Sequence, residues 1–248
     1  MESSKLKKEH APKAIKRRLT FAKSHNYLGD SVLGAIDGIV TTFAIVSGVA
    51  GAGLRAEIAI VLGLANLLAD GFSMAVSNYM RVRSDKEVIK KTKKDEESHI
   101  EKIPEGEAEE IKQIFELKGF SGEDLENITG IITKNRRQWV DTMLVDEFGL
   151  SLETPNPIRA GLITFGSFFI AGAVPLTPFF IMIYLNGFNV YLLSSIVTAL
   201  TFFTIGIIKG KILEKNIWQS GFQTLFIGYG AALIAYIISL LTKGIIEG

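Results

Sequence analysis

From Ala160 to Ile208 the chain carries no charged residue, although 21% of its 248 residues are charged. One crossing of a bilayer's hydrocarbon core takes about 20 mostly apolar residues. The run is therefore two crossings, parted at the turn-like cluster Tyr184-Leu-Asn-Gly-Phe-Asn189. Three more stretches qualify. Val32 to Ala52 holds one charge, Asp37; Ile58 to Met80 holds one, Asp70; Ile217 to Thr242 holds none. Five such runs exceed what a soluble domain of this size can cover, so the expected fold is all-α, a polytopic membrane protein with five transmembrane helices. The polar first 30 residues, followed by a long apolar run and then more of them, argue against a cleaved signal peptide.

Lys and Arg near the span ends set the orientation. Eight precede the first span, only Arg55 separates the first two, and none lies between the third and fourth. Lys209, Lys211 and Lys215 separate the fourth and fifth, and the tail has Lys243 alone. The alternation places the N-terminus in the cytoplasm and the C-terminus across the membrane. A net charge of +1 gives no support to nucleic-acid binding. The absence of cysteine excludes disulfides, zinc–cysteine sites and iron–sulfur clusters. No nucleophile–base arrangement, phosphate-cradling glycine loop or Walker motif is found, so the chain reads as neither an enzyme nor an ATP-driven pump.

Residues 81–157 form the one sizeable polar segment, with 13 Lys/Arg and 18 Asp/Glu. The topology makes it cytoplasmic, a small helical domain inserted between helices 2 and 3. Asp85 to Glu101 lacks Gly and Pro and continues the second span. Pro104 opens a helix whose stripe is Ile111, Ile114, Phe115 and Leu117, closed by Gly119. Ser121 is placed to cap the next, with Asp124 three residues on. A last helix runs from about Asn135 to Phe148, with Trp139, Met143 and Leu144 on one face. The divisions are thus a basic segment 1–29, spans one and two over 30–80, the insert 81–157, and spans three to five over 158–248.

Within the insert, Glu96 and His99, Glu107 and Glu110, and Met143 and Glu147 are pairs spaced to share a helix side. Carboxylate, imidazole and thioether together suit a divalent transition metal better than Ca²⁺ or Mg²⁺; a solvated charged face is the alternative. In the membrane, an ionisable residue is costly and marks a functional site by default. Asp37 shares a helix side with Gly34, Thr41 and Gly48. Asn66, Asp70, Ser73, Met74 and Ser77 form a polar stripe on the second span, which lipid does not tolerate. A hydrogen-bonded seam between helices or a cation path would each account for it; two carboxylates on neighbouring spans favour the path. Spans three to five lack ionisable groups; Pro175 and Pro178 kink the third, and Gly228-Tyr-Gly230 suggests close packing in the fifth.

Asp37-Gly-Ile-Val-Thr-Thr-Phe-Ala-Ile-Val-Ser-Gly48 resembles the first-span signature of the vacuolar iron transporter family. Gly63-Leu-Ala-Asn-Leu-Leu-Ala-Asp-Gly-Phe-Ser-Met-Ala-Val-Ser-Asn-Tyr79 resembles its second span, and Trp139-Val-Asp-Thr-Met-Leu-Val-Asp-Glu-Phe-Gly-Leu150 the end of its cytoplasmic metal-binding domain. The resemblance runs from about Asp30 to the C-terminus. It implies a homodimer with the path at the dimer interface, and proton-coupled antiport of Fe²⁺ and other divalent metals (Mn²⁺, Co²⁺, Ni²⁺, Zn²⁺) out of the cytoplasm. By the same resemblance Asp37 and Met74 line the path, while Glu96, Glu107, Glu110, Met143 and Glu147 are the cytoplasmic ligands. Four positions depart from the family pattern. Asn66 stands for a span-two glutamate, Asp70 for a small residue of plant-type members, His99 for an insert glutamate, and Leu144 for the second methionine of a pair.

The expected partners are therefore divalent metal ions, protons, lipid and a second copy of the chain. The metal is cargo and no tightly bound cofactor is expected. The membrane would be the plasma membrane in a prokaryote and vacuolar-type otherwise. A membrane-anchored metal sensor or buffer that does not transport is the rival reading.

Overall fold

The computed structural model describes residues 10–21, 26–181 and 189–246, and the regular elements among them are all helical. A short α1 (Pro12–Phe21) precedes α2 (Leu28–Gly51) and the 47-residue α3 (Ala56–Lys102). At 1.5 Å per residue α3 is about 70 Å long, far more than one crossing needs. Its apolar part ends near Met80 and its charged continuation runs on, with no Gly or Pro beyond Gly71 to stop it. It stops before Pro104, whose ring pushes Ile103 out of the helical region to φ −137°.

Three short helices follow: α4 (Pro104–Leu117), α5 (Gly122–Thr133) and α6 (Arg136–Thr142). Asn135 caps α6, its side chain accepting from Gln138 N–H. Beyond Thr142 the chain widens into a π-helical turn, Met143–Glu147, in which Phe148 N–H reaches Met143 C=O five residues back. The single helix expected to Phe148 is therefore two kinds of turn, ended by Gly149 at φ +63°. Two other local expectations are corrected. Ser121 occupies the N-cap of α5, but its side chain makes no capping hydrogen bond. Leu117 is 89% exposed, because the apolar stripe of α4 turns away from it after Phe115.

The remaining apolar helices are α7 (Pro157–Ala173), α8 (Thr177–Ile181), α9 (Val190–Ile212) and α10 (Ile217–Ile246). α7 and α8 form one span, Pro157–Ile181, broken by a 3₁₀ turn at Val174–Leu176. Pro175 and Pro178 lack the N–H that would continue the ladder. Ser194 of α9 satisfies the Pro175 carbonyl, donating at 2.6 Å. Residues 184–188 of the expected turn lie outside the described residues; Asn189 caps α9 by accepting from Tyr191 and Leu192 N–H. Among the described residues, five helices are thus long and apolar enough to cross a membrane.

The chain divides into two units, residues 26–80 with 157–248, and residues 1–25 with 81–156. In the first, α2 packs against α7, α9 and α10. Small residues permit this: a Cβ on Gly38 would collide with the Phe168 backbone of α7. Gly228 likewise lies against the Phe202 ring, whereas nothing approaches Gly230, so only half of the Gly-Tyr-Gly element serves packing. Leu67, Phe168, Leu176 and Phe179 fill one apolar core, and Ile39, Phe43 and Phe202 another. The outward faces of α9 and α10 carry exposed Leu, Ile and Phe. In the second unit Ile111, Ile132, Trp139 and Met143 form the core, with Ile100 of α3 packed against it.

Candidate metal centres

Two groups of acids emerge, one in each unit. In the unit of apolar spans, Asp37 is half-buried on α2. Thr41, one turn on, donates to the Asp37 carbonyl at 2.9 Å and accepts from Asn66 Nδ2 of α3 at 3.2 Å. Asp70 follows Asn66 by one turn and bears electrostatically on Asp37. Asp37 and Asn66 therefore meet through Thr41 at the α2–α3 seam, with Asp70 close enough for its charge to act on Asp37. Met74, the next turn of the stripe, is half-buried and packs against the core of Leu67, Phe168 and Leu176. Asp70, Ser73 and Ser77 remain exposed. They lie on one flank of α3, beside the buried face of Ala59, Gly63, Leu67 and Gly71. The seam and the uncovered stripe are thus both present. The seam takes Asn66, and the acid and hydroxyls beyond it are left without cover.

One polar group escaped the sequence reading. Asn78 Nδ2 donates at 2.8 Å to Asp30 Oδ1 and at 2.8 Å to Thr164 Oγ1, tying α2, α3 and α7 together, with all three residues buried. The stripe does not point to it: Asn78 lies twelve residues from Asn66, about 120° round the helix, at the edge of the apolar run.

The second group is built by one turn each of two helices, α3 and α4. Glu96 and His99 lie on the polar extension of α3, well beyond the apolar residues that end near Met80. Glu107 lies in the first turn of α4, set by Pro104. Glu96 and Glu107 are each only 2% exposed. His99 Nδ1 stands 3.5 Å from an oxygen of each, and the three donor atoms lie within 4.8 Å of one another. Oε2 of Glu96 and Oε2 of Glu107 are both buried with no hydrogen-bond partner. A buried carboxylate oxygen left unsatisfied is costly, and a cation drawn in between the two supplies what each lacks.

Burial first, then the Glu107 and Glu147 charges, pushes the Glu96 carboxyl up to about 7. Burial and Glu110 raise Glu107, while the Glu96 carboxyl beside it and the nearby His99 pull it back. Glu147 is also raised, by partial burial and then by Glu110 and Glu107. Of the six expected insert ligands, three converge: Glu96, His99 and Glu107. Glu110 and Glu147 are exposed flanking charges, felt by the buried pair. Met143 is fully buried in the apolar core with Ile111, Ile132 and Trp139.

The sequence model of the VIT family matches residues 28–240. The vacuolar iron transporter of Toxoplasma gondii is 34% identical over 221 residues, covering 86% of this chain and 73% of that protein. Vacuolar iron transporter 1 of Oryza sativa is 31% identical over 210 residues, 84% of this chain and 82% of its own length. Vacuolar iron transporter 1 of Arabidopsis thaliana is 28% identical over 213 residues, 85% and 84%. With five apolar helices of spanning length, the molecule is an integral membrane protein. A match across nearly the whole chain, from α2 to α10, makes it a member of the VIT family.

Proposed function

We propose that the chain is a proton-coupled transporter that moves divalent transition metals, Fe²⁺ foremost and also Mn²⁺, Co²⁺, Ni²⁺ and Zn²⁺, out of the cytoplasm. The observation that carries this is the uncovered acidic stripe of the α2–α3 seam. Asp70, Ser73 and Ser77 are exposed on a helix that crosses lipid, and Asp37 lies beside them. Groups of this kind at membrane depth need protein or water as a neighbour. A second copy of the chain across that flank supplies both, enclosing a polar path between two subunits. The curated relatives are named as iron transporters, which supports metal as the cargo.

The charge pattern supports a cytoplasmic N-terminus and insert. In the proposed cycle Glu96, His99 and Glu107 capture the cation, with Glu110 and Glu147 adding to the negative field that attracts it. The ion then passes to Asp37 and Met74, carboxylate and thioether, with Asn66 and Asp70 alongside. Protons arriving from the far side neutralise Asp37 or Asp70, removing the charge that holds the metal and releasing it outward. No covalent bond is made or broken in this cycle.

The test uses proteoliposomes loaded with a metal-quenched dye, Fe²⁺ or Mn²⁺ added outside, and a pH gradient imposed or collapsed. Metal entry should follow the gradient and fall to background in Asp37→Asn, while the variant keeps the wild-type oligomer. Gradient-coupled entry in that variant would remove Asp37 from the path. No entry in the wild-type protein, with metal still bound at the insert, would instead favour a membrane-anchored sensor.

A further inference from the structure

His99 is the one nitrogen donor in a cluster otherwise made of carboxylates, and its geometry is distinctive. Nδ1 stands 3.5 Å from Oε1 of both Glu96 and Glu107, while half of its side chain remains exposed. The free oxygen of each glutamate is buried and unpartnered. The cluster therefore offers one imidazole nitrogen and two carboxylates around one point, open on the imidazole side. Hard cations such as Mg²⁺, Ca²⁺ and Mn²⁺ take oxygen shells and gain little from imidazole, whereas Co²⁺, Ni²⁺ and Zn²⁺ bind imidazole well.

We propose that His99 is the specificity-determining ligand of this site, making it a mixed nitrogen–oxygen centre that holds Co²⁺, Ni²⁺, Zn²⁺ and Fe²⁺ in preference to Mn²⁺, Mg²⁺ and Ca²⁺. This rests on the metal-capturing role of the insert, and the test separates the two. An all-carboxylate version of the site would rank the divalent transition metals in the same order but more shallowly, because oxygen ligands also suit Mn²⁺ and Mg²⁺. With the imidazole in place the rise in affinity from Mn²⁺ through Co²⁺ to Ni²⁺ is steeper. The partial exposure of the ring lets the nitrogen reach an incoming ion before the buried carboxylates close on it.

The experiment titrates the full-length protein in detergent with CoCl₂ and with MnCl₂. It reads the Co²⁺ d–d absorption and the dissociation constants for wild type, His99→Gln, His99→Glu and the double variant Glu96→Gln/Glu107→Gln. Signal that persists in the double variant belongs to other sites and is subtracted. His99→Gln should weaken Co²⁺ about tenfold and Mn²⁺ far less, with a shift in the Co²⁺ bands as nitrogen leaves the shell. His99→Glu should restore Mn²⁺ affinity but not the Co²⁺ preference. Equal losses for both metals, or unchanged Co²⁺ bands, in the His99 variants would overturn the role of His99 while leaving the site intact. Binding and bands unchanged in the double variant would overturn the site itself, and His99 with it.

Discussion

In the unit of apolar spans the two acids of the stripe, Asp37 and Asp70, stand on helix flanks, half-covered or open, and the buried Asp30 is hydrogen-bonded to Asn78; in the unit of residues 81–156 the two central acids are sealed to 2% exposure with an oxygen each unpartnered. The difference follows from the solvent each unit must satisfy. In water, Glu110 and Glu147 stay exposed at the surface, whereas Glu96 and Glu107 are buried with unpartnered oxygens, a cost that a bound proton or a cation offsets. In lipid, the logic reverses, and it is the open Asp70, Ser73 and Ser77 that require an explanation. The packing differs in the same sense. α2 and α7 meet through glycine, with backbone nearly touching backbone. The helices of the other unit meet through the side chains of Ile111, Ile132, Trp139 and Met143, and its surface carries ion pairs such as Lys118–Asp146 and Arg136–Glu101.

Neutralising the sealed pair should give the largest effect. Glu96→Gln/Glu107→Gln should abolish Co²⁺ binding at the insert, a loss beyond the ~10–100-fold that even an outer-shell partner is worth; calorimetric titration of the purified protein checks it. The same variant should alter the pH dependence of stability. Glu96 in the folded, metal-free protein holds its proton up to about pH 7, against 4.5 for a free glutamate. Between these values the folded state binds more protons than the unfolded one. The stability from this group is therefore complete below about pH 4.5 and is lost as the pH rises through about 7. Thermal unfolding with chelator present should show the decline in the wild type, and excess Co²⁺ or the double variant should flatten it.

The packing half of the comparison is tested by Gly38→Leu. The added side chain has no space against the Phe168 backbone, and overpacking of this kind costs about 1–3 kcal/mol. A lowered unfolding temperature in detergent is expected, with metal affinity at the insert unchanged. Smaller effects are expected at the helix caps. Asn135→Ala removes an observed cap hydrogen bond and should cost about 1 kcal/mol. Ser121→Ala and Leu117→Ser should stay within about 0.5 kcal/mol, since the first makes no cap bond and the second is exposed. Chemical denaturation monitored at Trp139 compares the three.

Much of the fold was legible because lipid imposes a strong rule on sequence. Long apolar runs with at most one charge set the five spans, Pro104 and Gly119 punctuated α4, and Pro175 and Pro178 marked the break in the third span. The details missed depend on tertiary context. A π-helical turn at Met143–Glu147 leaves no periodic signature over five residues, and the exposure of Leu117 depends on where α4 meets its neighbours. In the candidate sites, helical spacing paired Glu96 with His99 and Asn66 with Asp70. It did not reveal that Glu107 comes to face His99 from another helix, since that contact depends on the turn at Ile103–Pro104. Nor did it separate Met143, a core residue here, from the converging ligands.

The central claim is that the two acid groups do separate work, capture in the insert and passage in the membrane. It is tested most directly by recording metal entry and proton exit together in proteoliposomes whose inserts face the added metal. Wild type, Asp37→Asn and Glu96→Gln/Glu107→Gln would be compared at low and saturating Fe²⁺. The account predicts coupled flux in the wild type and no flux in Asp37→Asn, which still binds metal at the insert. It predicts flux in the double variant that is weak at low metal and recovers at saturation. Flux through Asp37→Asn, or a double variant that stays silent at saturating metal, would contradict it.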